Sequence, residues 1–328
     1  MKYLIAGATG YIGTQLAKKL AREGHTVHAL YRSEAKTEGL KGEGIELFKG
    51  DISDRASLEN AAHGCDGVFH VAAFAKAWAK DPQTFYRQNV QGSLNVFNAA
   101  RYAGVSKVVF TSTAGVISPS NSTPSNEQTL RELAQFTHYE SSKAQAEEAA
   151  AKLCREGMNI VTVNPTRVYG PGLLSDSNGV TRLIKMYLEG KFKLLPGNGS
   201  SIGNYAFIDD VVAGHMLAMQ HGKSGERYIL GGENVSFTEF FNLLSDVTGK
   251  DTHLYKIPIP LMKFAAKVME IRANLTGTPP ILTPPWVKKY LYNWELSTEK
   301  AERELGYQPT PIGEGLSRTV DWILRNGR

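Results

Sequence analysis

Three glycines, Gly7, Gly10 and Gly13, separate a short apolar run from an amphipathic segment at the start of the chain. The run before them is typical of a buried strand, and the segment from Tyr11 to Arg22 is typical of a helix. A second apolar run, from Thr26 to Tyr31, completes the order of a βαβ unit. Small residues at such a turn let the backbone approach a pyrophosphate, whose charge is met by the helix N-terminus. The sequence therefore predicts a dinucleotide-binding turn.

Strands and helices continue to alternate beyond this first unit. Strands three to six are predicted at IELFKGD, GVFHVAA, SKVVFTST and NIVTVNP, with a long helix from about Phe85 to Tyr102 and another around Tyr139. Alternation of this kind is typical of a parallel, doubly wound sheet with helices on both faces. The predicted fold is therefore an α/β Rossmann-type fold.

The alternation breaks after Pro165, where loops lengthen and Pro and Gly cluster. Helices are still predicted at Asp209–Gln220 and at Phe237–Thr248, between short strands. A chain of 328 residues also exceeds the usual limit for one hydrophobic core. We therefore expect a dinucleotide-binding domain at residues 1–165 and a smaller C-terminal, mainly substrate-binding lobe at 166–328, with chain excursions back to the first domain.

Composition excludes several classes of protein. The net charge of +5 is spread without a run of like charges, which argues against nucleic-acid binding. Cys65 and Cys154 lack metal-ligand spacing, so no metal site or disulfide is expected. No apolar run reaches the length of about 18 residues that suggests a membrane span, and the first strand begins at Lys2, leaving no room for a signal peptide. We expect a cytoplasmic protein that acts on a small molecule.

The segment after the second predicted strand, LYRSEAK, bears on cofactor choice. Arg32 stands where an NAD site would carry Asp or Glu, and Lys36 is near, which suits a 2′-phosphate. NADP(H) is therefore preferred, and NAD(H) stays open if Arg32 stacks on the adenine and Glu34 reaches the ribose. Asp51 and Ile52 follow the third strand and are candidates for adenine contacts, with a helix cap as the alternative for Asp51.

Seven motifs occur in an order that resembles the extended short-chain dehydrogenase/reductase family, and the resemblance covers nearly the whole chain. They are GATGYIG, GDI, HVAA, NVQGSLNV, FTSTAGV, YESSK and NPTRVYGPG. Within YESSK, Tyr139 and Lys143 are four residues apart and so share one face of a helix. The resemblance implies that this is the family's catalytic helix.

The resemblance also implies a role for each catalytic candidate. Hydride transfer to a carbonyl builds negative charge on oxygen, so Tyr139 is expected to give and take the proton. Lys143, together with the nicotinamide, is expected to lower the pKa of this phenol and to bind the ribose. Thr113, with Ser112 as its neighbour, aligns with the hydroxyl that orients the substrate. Asn89 is expected near the nicotinamide, or else as a buried helix amide.

The remaining site predictions follow from the same resemblance. The cofactor-binding candidates are Gly7, Gly10, Tyr11, Ile12, Gly13, Arg32, Lys36, Asp51, Ile52, Val71, Ala72, Ala73, Lys143, Pro165 and Val168. The substrate-binding candidates are Phe74, Trp78, Ser112, Phe136, Tyr169 and Leu173, which give an apolar pocket unless they belong to the core. His70, in the HVAA motif, is expected to be structural rather than catalytic.

Two positions separate the branches of the family. Nucleotide-sugar enzymes typically carry an arginine before the segment that reads FIDD here, where this chain has Gly203 and Asn204. Their dehydratases use an acidic pair where this chain has Ala114 and Gly115. The pattern instead resembles dihydroflavonol reductases and 3β-hydroxysteroid dehydrogenases, which implies an oxidoreductase that interconverts a ketone and a secondary alcohol on a small, mainly apolar substrate.

Two alternative functions stay open, and the resemblance implies one partner. A nucleotide-sugar epimerase or dehydratase is the first alternative, since fold alone does not separate the branches. A non-catalytic NADP-sensing regulator is the second, although such proteins usually lose the Tyr or the Lys. The resemblance further implies a homodimer, formed by the helices around residues 85–102 and 138–154 as a four-helix bundle.

Overall fold

A computed structural model describes residues 1–174, 178–250 and 252–326. Its strands are β1 Lys2–Ala6, β2 Thr26–Tyr31, β3 Ile45–Lys49, β4 Gly67–His70, β5 Lys107–Thr111, β6 Ile160–Pro165, β7 Arg167–Tyr169, β8 Leu194–Pro196, β9 Ile202–Phe207, β10 Arg227–Leu230, β11 Glu233–Ser236 and β12 Tyr255–Ile257. Its α-helices are α1 Tyr11–Arg22, α2 Arg55–Ala62, α3 Gln83–Tyr86, α4 Gly92–Tyr102, α5 His138–Arg155, α6 Gly179–Leu188, α7 Ile208–His221, α8 Phe237–Thr248, α9 Ile259–Thr276, α10 Pro284–Lys289, α11 Glu299–Leu305 and α12 Ile312–Asn326.

Seven strands form one parallel sheet in the order β10-β6-β5-β4-β1-β2-β3. Successive strand residues face opposite sides, so Ile5 packs with α1 and α7 while Leu4 packs with α2, α4 and α5. The strand order reverses between β1 and β4, and ligands of such sheets bind in the crevice at the carboxyl ends of the strands there. The predicted Rossmann-type fold is confirmed.

The second half of the chain contributes to this sheet and also builds two smaller ones. Strand β10 pairs with β6 at the sheet edge, and α7 packs on the same face as α1. Strands β11, β9 and β7 form a three-stranded sheet, and β12 pairs with β8. The helices predicted at 209–220 and 237–248 are present as α7 and α8. The division of the chain at residue 165 stays a prediction.

Two further observations concern the described residues only. No helix among them is long and apolar enough to cross a membrane. No group of three or more His, Cys, Asp or Glu side chains within these ranges is arranged to hold a metal ion.

Candidate active site

The glycine-rich turn between β1 and α1 is too tight for side chains. Gly7 has φ of +101°, and a Cβ there would lie 2.5 Å from the backbone nitrogen of Ala72. A Cβ on Gly13 would lie 2.1 Å from the carbonyl oxygen of Gly7. Glycine is required at both positions, because the turn, the start of α1 and the loop after β4 meet backbone to backbone.

The N-terminus of α1 has the features of an anion site. Its cap residue, Gly10, makes no side-chain capping bond, and its first turn contains no acidic residue. The positive end of a twelve-residue helix therefore points to the crevice without an internal counter-charge. Only the backbone of Tyr11 can serve a cofactor there, because its ring is buried and its hydroxyl donates to the carbonyl of Gly170, 2.9 Å away. Ile12 is partly buried against the core.

A cationic edge follows β2. The Arg32 guanidinium is exposed and lies 3.3 Å from Oδ2 of Asp51, while Oδ1 of Asp51 accepts hydrogen bonds from the backbone amide and the hydroxyl of Ser53. Partial burial opposes ionisation of Asp51, but the bonds from Ser53 and Arg32 outweigh it and lower its pKa. Lys36 is exposed in a short 3₁₀ turn nearby.

The helix-cap alternative for Asp51 is wrong. Helix α2 is capped by Asp54, whose carboxylate accepts from the amides of Ala56 and Ser57. Asp51 is thus left at the mouth of the crevice. The next residue, Ile52, packs against Gly92 of α4, where a Cβ would lie 2.6 Å from its Cδ1.

The other cofactor candidates line the carboxyl ends of β4 and β6. Val71 continues β4 by donating its amide to the carbonyl of Ala6 at 2.9 Å. Ala72 abuts Gly7, and Ala73 is exposed. Pro165 ends β6 and is buried, while Val168 lies half-buried in β7. The fold brings these residues to one edge, although they are nearly one hundred positions apart in sequence.

Tyr139 and Thr113 meet at the end of β5. Thr113 lies two residues beyond that strand, and Tyr139 occupies the first turn of α5, which is capped by the Thr137 hydroxyl. The Thr113 hydroxyl lies near the phenol and accepts from the Gly115 amide at 3.2 Å. Burial raises the pKa of Tyr139 to about 12, although the nearby Thr113 hydroxyl lowers it. The phenol is therefore protonated at neutral pH.

Lys143 lies one helical turn further along α5. Its side chain is fully buried, its ammonium donates to the Thr111 carbonyl at 2.6 Å, and its Nζ is 4.2 Å from the centre of the Phe110 ring. Burial lowers the pKa of Lys143 to about 7, against the attraction of Glu147. The expectation that Lys143 and the nicotinamide together lower the Tyr139 pKa stays a prediction; in the protein alone, burial of the phenol is the largest influence on that pKa.

Asn89 joins the loop after β4 to α5. It lies in a π turn at Arg87–Gln91, which interrupts the predicted long helix. Its amide oxygen accepts from the Phe74 amide at 2.7 Å, and its amide nitrogen donates to the Ser142 hydroxyl at 2.9 Å. Since both amide groups are bonded to protein, this arrangement fits the buried-amide alternative, and direct contact with a nicotinamide stays a prediction.

His70 is buried beneath this junction. Its Nε2 is 2.8 Å from the Ser93 hydroxyl, which donates to the Asn89 carbonyl, and its ring stacks on Phe110. Burial, reinforced by repulsion from Lys143, lowers the pKa of His70 to about 3. The imidazole is thus neutral, as a structural residue would be.

Four of the six substrate candidates differ in burial and in the contacts they make. Phe74 packs edge-on against Phe85, with ring centres 4.9 Å apart. Ser112 is buried, and its hydroxyl finds no hydrogen-bond partner among the described residues. Trp78 is half-buried between β4 and α3, and Leu173 is exposed beyond β7.

Aromatic packing places the other two substrate candidates differently. Phe136 lies just before α5, with its ring centre 5.2 Å from that of Tyr292 and 5.9 Å from that of Trp294. Tyr169 was expected in a loop facing the substrate, but it lies in β7 and is fully buried. Its hydroxyl donates to the carbonyl of Ile312 at 3.4 Å, so it belongs to the core beneath α12.

The structure reveals charged residues that the sequence analysis missed. Glu140, next to Tyr139, is buried and forms an ion pair with Lys289 of α10. Arg167 lies between the rings of Tyr205 and Phe237, each centred 5.3 Å from its guanidinium carbon. The only sequence signals were the position of Glu140 within YESSK and of Arg167 within NPTRVYGPG.

Arg167 also changes the meaning of the missing arginine before FIDD. A Cβ on Gly203 would lie 2.2 Å from Nη1 of Arg167, so the guanidinium from β7 occupies the space beside that position. A cation is therefore present in this part of the lobe, supplied by a different strand.

Most of this chain matches a known protein family. Residues 3–231, more than half of the chain, match the NAD-dependent epimerase/dehydratase family. The chain belongs to this family. It is an NAD(P)-dependent enzyme of the extended short-chain dehydrogenase/reductase type, as its motifs predicted.

Relatives of this family member span its full length. A Synechocystis sp. protein of the dihydroflavonol 4-reductase type is 30% identical, covering 99% of this chain and 95% of its own. Sterol demethylase protein B of Methylococcus capsulatus is also 30% identical, covering 100% and 99%. The solved structure of gox2253 is 31% identical, with a TM-score of 0.84 over 99% of this chain and 98% of its own.

A structure from the nucleotide-sugar branch is similar as well. The dTDP-glucose 4,6-dehydratase DesIV of Streptomyces venezuelae, solved with NAD and TYD bound, is 25% identical. Its TM-score is 0.80 over 99% of this chain and 98% of its own. The shared fold thus includes both reductase-type and nucleotide-sugar relatives, and the site must separate them.

Proposed function

We propose that this enzyme is an NADP(H)-dependent oxidoreductase that interconverts a ketone and a secondary alcohol on a small, mainly apolar substrate. The observation that carries the proposal is the position of α5 against β5: Lys143 is fully buried with its ammonium 2.6 Å from the Thr111 carbonyl, Tyr139 lies one turn earlier on the helix, and Thr113 lies two residues beyond the strand. An acid, an orienting hydroxyl and a cation are the groups that carbonyl reduction needs.

The residues around the crevice fit a nicotinamide dinucleotide. The backbone of the glycine-rich turn and the uncapped end of α1 would hold the pyrophosphate. Arg32 and Lys36 would hold a 2′-phosphate, and Lys143 would hold the nicotinamide ribose. The proposed preference for NADP(H) rests on Arg32, which is exposed and, among the described residues, forms an ion pair with Asp51 alone.

The chain supplies the proton chemistry. When bound, the cofactor supplies or removes the hydride. Tyr139 is protonated at neutral pH because its pKa is raised to about 12, so it can donate a proton to the oxygen of a ketone. The Thr113 hydroxyl, which lies near the phenol, would orient that oxygen by donating a hydrogen bond to it. In the reverse direction the phenol must first lose its proton, which the charged form of Lys143 favours.

The mainly apolar substrate is inferred from the aromatic side chains and from the relatives. The Phe74 amide donates to Asn89 at 2.7 Å, and the Phe136 amide, just before α5, donates to the Glu140 carboxylate at 3.0 Å. The relatives include proteins named for flavonol and sterol chemistry.

Turnover measurements test the proposal. NADPH oxidation is followed by absorbance across aliphatic and aromatic ketones, flavanonols, steroids and UDP-sugars, with Tyr139→Phe as the blank. We expect turnover with at least one apolar ketone and none with the blank. Turnover limited to UDP-sugars, or none with any ketone, contradicts the proposal.

One observation favours the nucleotide-sugar alternative. Arg167 makes a hydrogen bond to the Tyr205 hydroxyl at 3.0 Å but has no carboxylate partner among the described residues. A guanidinium left in this way suits an anionic group such as a diphosphate. Its frame of Tyr205 and Phe237 equally suits a structural cation stacked on aromatic rings. Inhibition of turnover by UDP separates these two cases.

Two further proposals concern the oligomeric state and the location of the protein. We retain the homodimer through α4 and α5, which pack side by side on one face of the sheet. We also retain a cytoplasmic location, supported by Cys65 and Cys154, which are both free thiols.

A further inference from the structure

Helix α9 exposes a continuous row of large apolar side chains, which we term the α9 stripe. Its members lie at alternating steps of three and four residues, so they share one face of this eighteen-residue helix. They are between 51% and 82% exposed and comprise Leu261, Phe264, Val268, Ile271 and Leu275. Contiguous apolar rows of this size are rare on proteins without a binding function.

The α9 stripe is not the face by which this helix packs on the protein. The opposite face of the helix attaches it to the protein through the small side chains of Ala266 and Ala273, which are fully buried. Small residues face the protein and large ones face solvent, the reverse of an ordinary surface helix. The described residues therefore leave the stripe exposed to solvent.

The charges of α9 indicate what that occupant is. Three cations, Lys263, Lys267 and Arg272, accompany one acid, Glu270, which is already paired with Lys267 at 2.8 Å. On a helix of 3.6 residues per turn, Lys267 and Arg272 fall on opposite sides of the stripe. A second α9 would bring like charges together along both sides, whereas an anionic surface would meet them favourably.

We propose that α9 docks this enzyme on the surface of an anionic lipid bilayer. The apolar stripe enters the boundary between headgroups and acyl chains, and Lys263 and Arg272 meet lipid phosphates. The helix lies in the plane of the membrane and does not cross it, in agreement with the absence of a spanning helix among the described residues.

A groove adjoins α9 beside the loop that precedes α5. It has a volume of about 430 Å³ and is lined by Lys263 of α9, Lys288 of α10, and by Leu133 and Phe136 of that loop. The docking itself is independent of the proposed function.

Vesicle cosedimentation of the full chain tests the docking. Vesicles are made of phosphatidylcholine alone, or with about one third phosphatidylglycerol. We expect the protein to sediment with the anionic vesicles and not with the neutral ones. Phe264→Ser combined with Leu275→Ser should reduce binding at least about tenfold, since both side chains enter the apolar layer. Lys263→Gln combined with Arg272→Gln should also reduce it.

The matched control removes two exposed leucines elsewhere, by Leu130→Ser combined with Leu324→Ser. This variant should bind vesicles as the wild type does, and circular dichroism should show all variants folded. Failure of the wild type to bind anionic vesicles overturns the proposal, as does equal binding of neutral vesicles or equal loss in the control. A dimer that disappears with the Phe264 and Leu275 changes, without vesicle binding, assigns the stripe to a second copy and also overturns it.

These experiments distinguish failure of the docking proposal from failure of the proposed function. Vesicle binding is measured without substrate, so loss of the proposed reductase activity leaves it unaffected. A water-soluble ketone should be reduced equally by wild type and by the Phe264 and Leu275 variant, because neither residue belongs to the active site.

Discussion

The ammonium of Lys143 donates a hydrogen bond to the carbonyl oxygen of Thr111, 2.6 Å away. Thr111 ends β5, and Thr113 lies two residues beyond it. This bond thus fixes α5, which carries Tyr139, against the strand that leads into Thr113. Lys143 has a structural role in addition to the proposed contact with ribose, and its removal should affect more than turnover.

The first prediction concerns the proton donor. Tyr139→Phe removes the hydroxyl and retains the ring, so turnover on the best substrate should fall by about 10²- to 10⁴-fold. Cofactor affinity, measured by fluorescence titration, should change little. Turnover within a few-fold of wild type would contradict the assignment.

The orienting hydroxyl has its own matched pair of variants. Thr113→Ser keeps the hydroxyl and should stay active. Thr113→Val keeps the shape and loses the hydroxyl, so turnover should fall, because the hydroxyl is the group expected to orient the substrate oxygen. Equal activity of the two variants in the same NADPH assay would remove Thr113 from the mechanism.

A pH dependence of stability follows from the burial of Lys143. Its pKa is lowered from 10.5 to about 7, so between these values the unfolded chain binds more protons than the folded chain. The buried, neutral Lys143 side chain therefore contributes fully to stability above pH 10.5, and this contribution is lost as the pH falls toward 7. The free energy of unfolding of wild type minus that of Lys143→Met should rise from pH 7 to higher pH.

Urea unfolding without cofactor measures this difference. Lys152→Met is the control, because Lys152 is exposed on the same helix and should give a nearly constant difference. If the free energy of unfolding of wild type minus that of Lys143→Met stays constant or falls as the pH rises, Lys143 is not buried as described.

Cofactor selection is predicted to depend on Arg32. Arg32→Ala should weaken NADPH binding by about 10- to 100-fold, the usual range for losing a charged hydrogen bond, and should leave NADH nearly unchanged. The existing contact with Asp51 is exposed, so its loss to a phosphate costs little. Arg101→Ala, an exposed cation on α4, is the control. Tighter binding of NADH by the wild type, unaffected by Arg32→Ala, would refute the NADP(H) preference.

Arg167 separates the two candidate functions. For an apolar ketone we expect Arg167→Met to keep kcat/KM within a few-fold, because the methionine replaces the stacked stem between Tyr205 and Phe237. We also expect UDP not to inhibit the wild type. Competitive inhibition by UDP that disappears in Arg167→Met would instead support the nucleotide-sugar alternative.

The homodimer is tested by sedimentation at micromolar concentration. Gln145, Glu148 and Lys152 of α5 are exposed, so this face is free to meet a second copy. Ala149→Arg should dissociate the dimer by adding a large charge to that face. The Phe264 and Leu275 changes in α9 should leave it intact. A wild-type protein that sediments only as a monomer would contradict the prediction.

Local patterns in the sequence were enough for the fold and for part of the site. Glycine spacing, apolar periodicity and the step of four between Tyr139 and Lys143 act over a few residues, so α1, β2 and the relation between these two side chains followed directly. The edge at which cofactor candidates gather also followed, because carboxyl ends of parallel strands share one side of a sheet.

Contacts between distant parts of the chain decided the rest. Tyr169 became a core residue because Ile312, 143 positions away, lies over it. Glu140 found Lys289, and Arg167 filled the space left by Gly203, although no local pattern links these pairs. The raised pKa of Tyr139 has the same origin: the sequence placed a cation nearby, but the pKa depends on how much solvent the folded protein removes from the phenol, which only the packing of the whole chain determines.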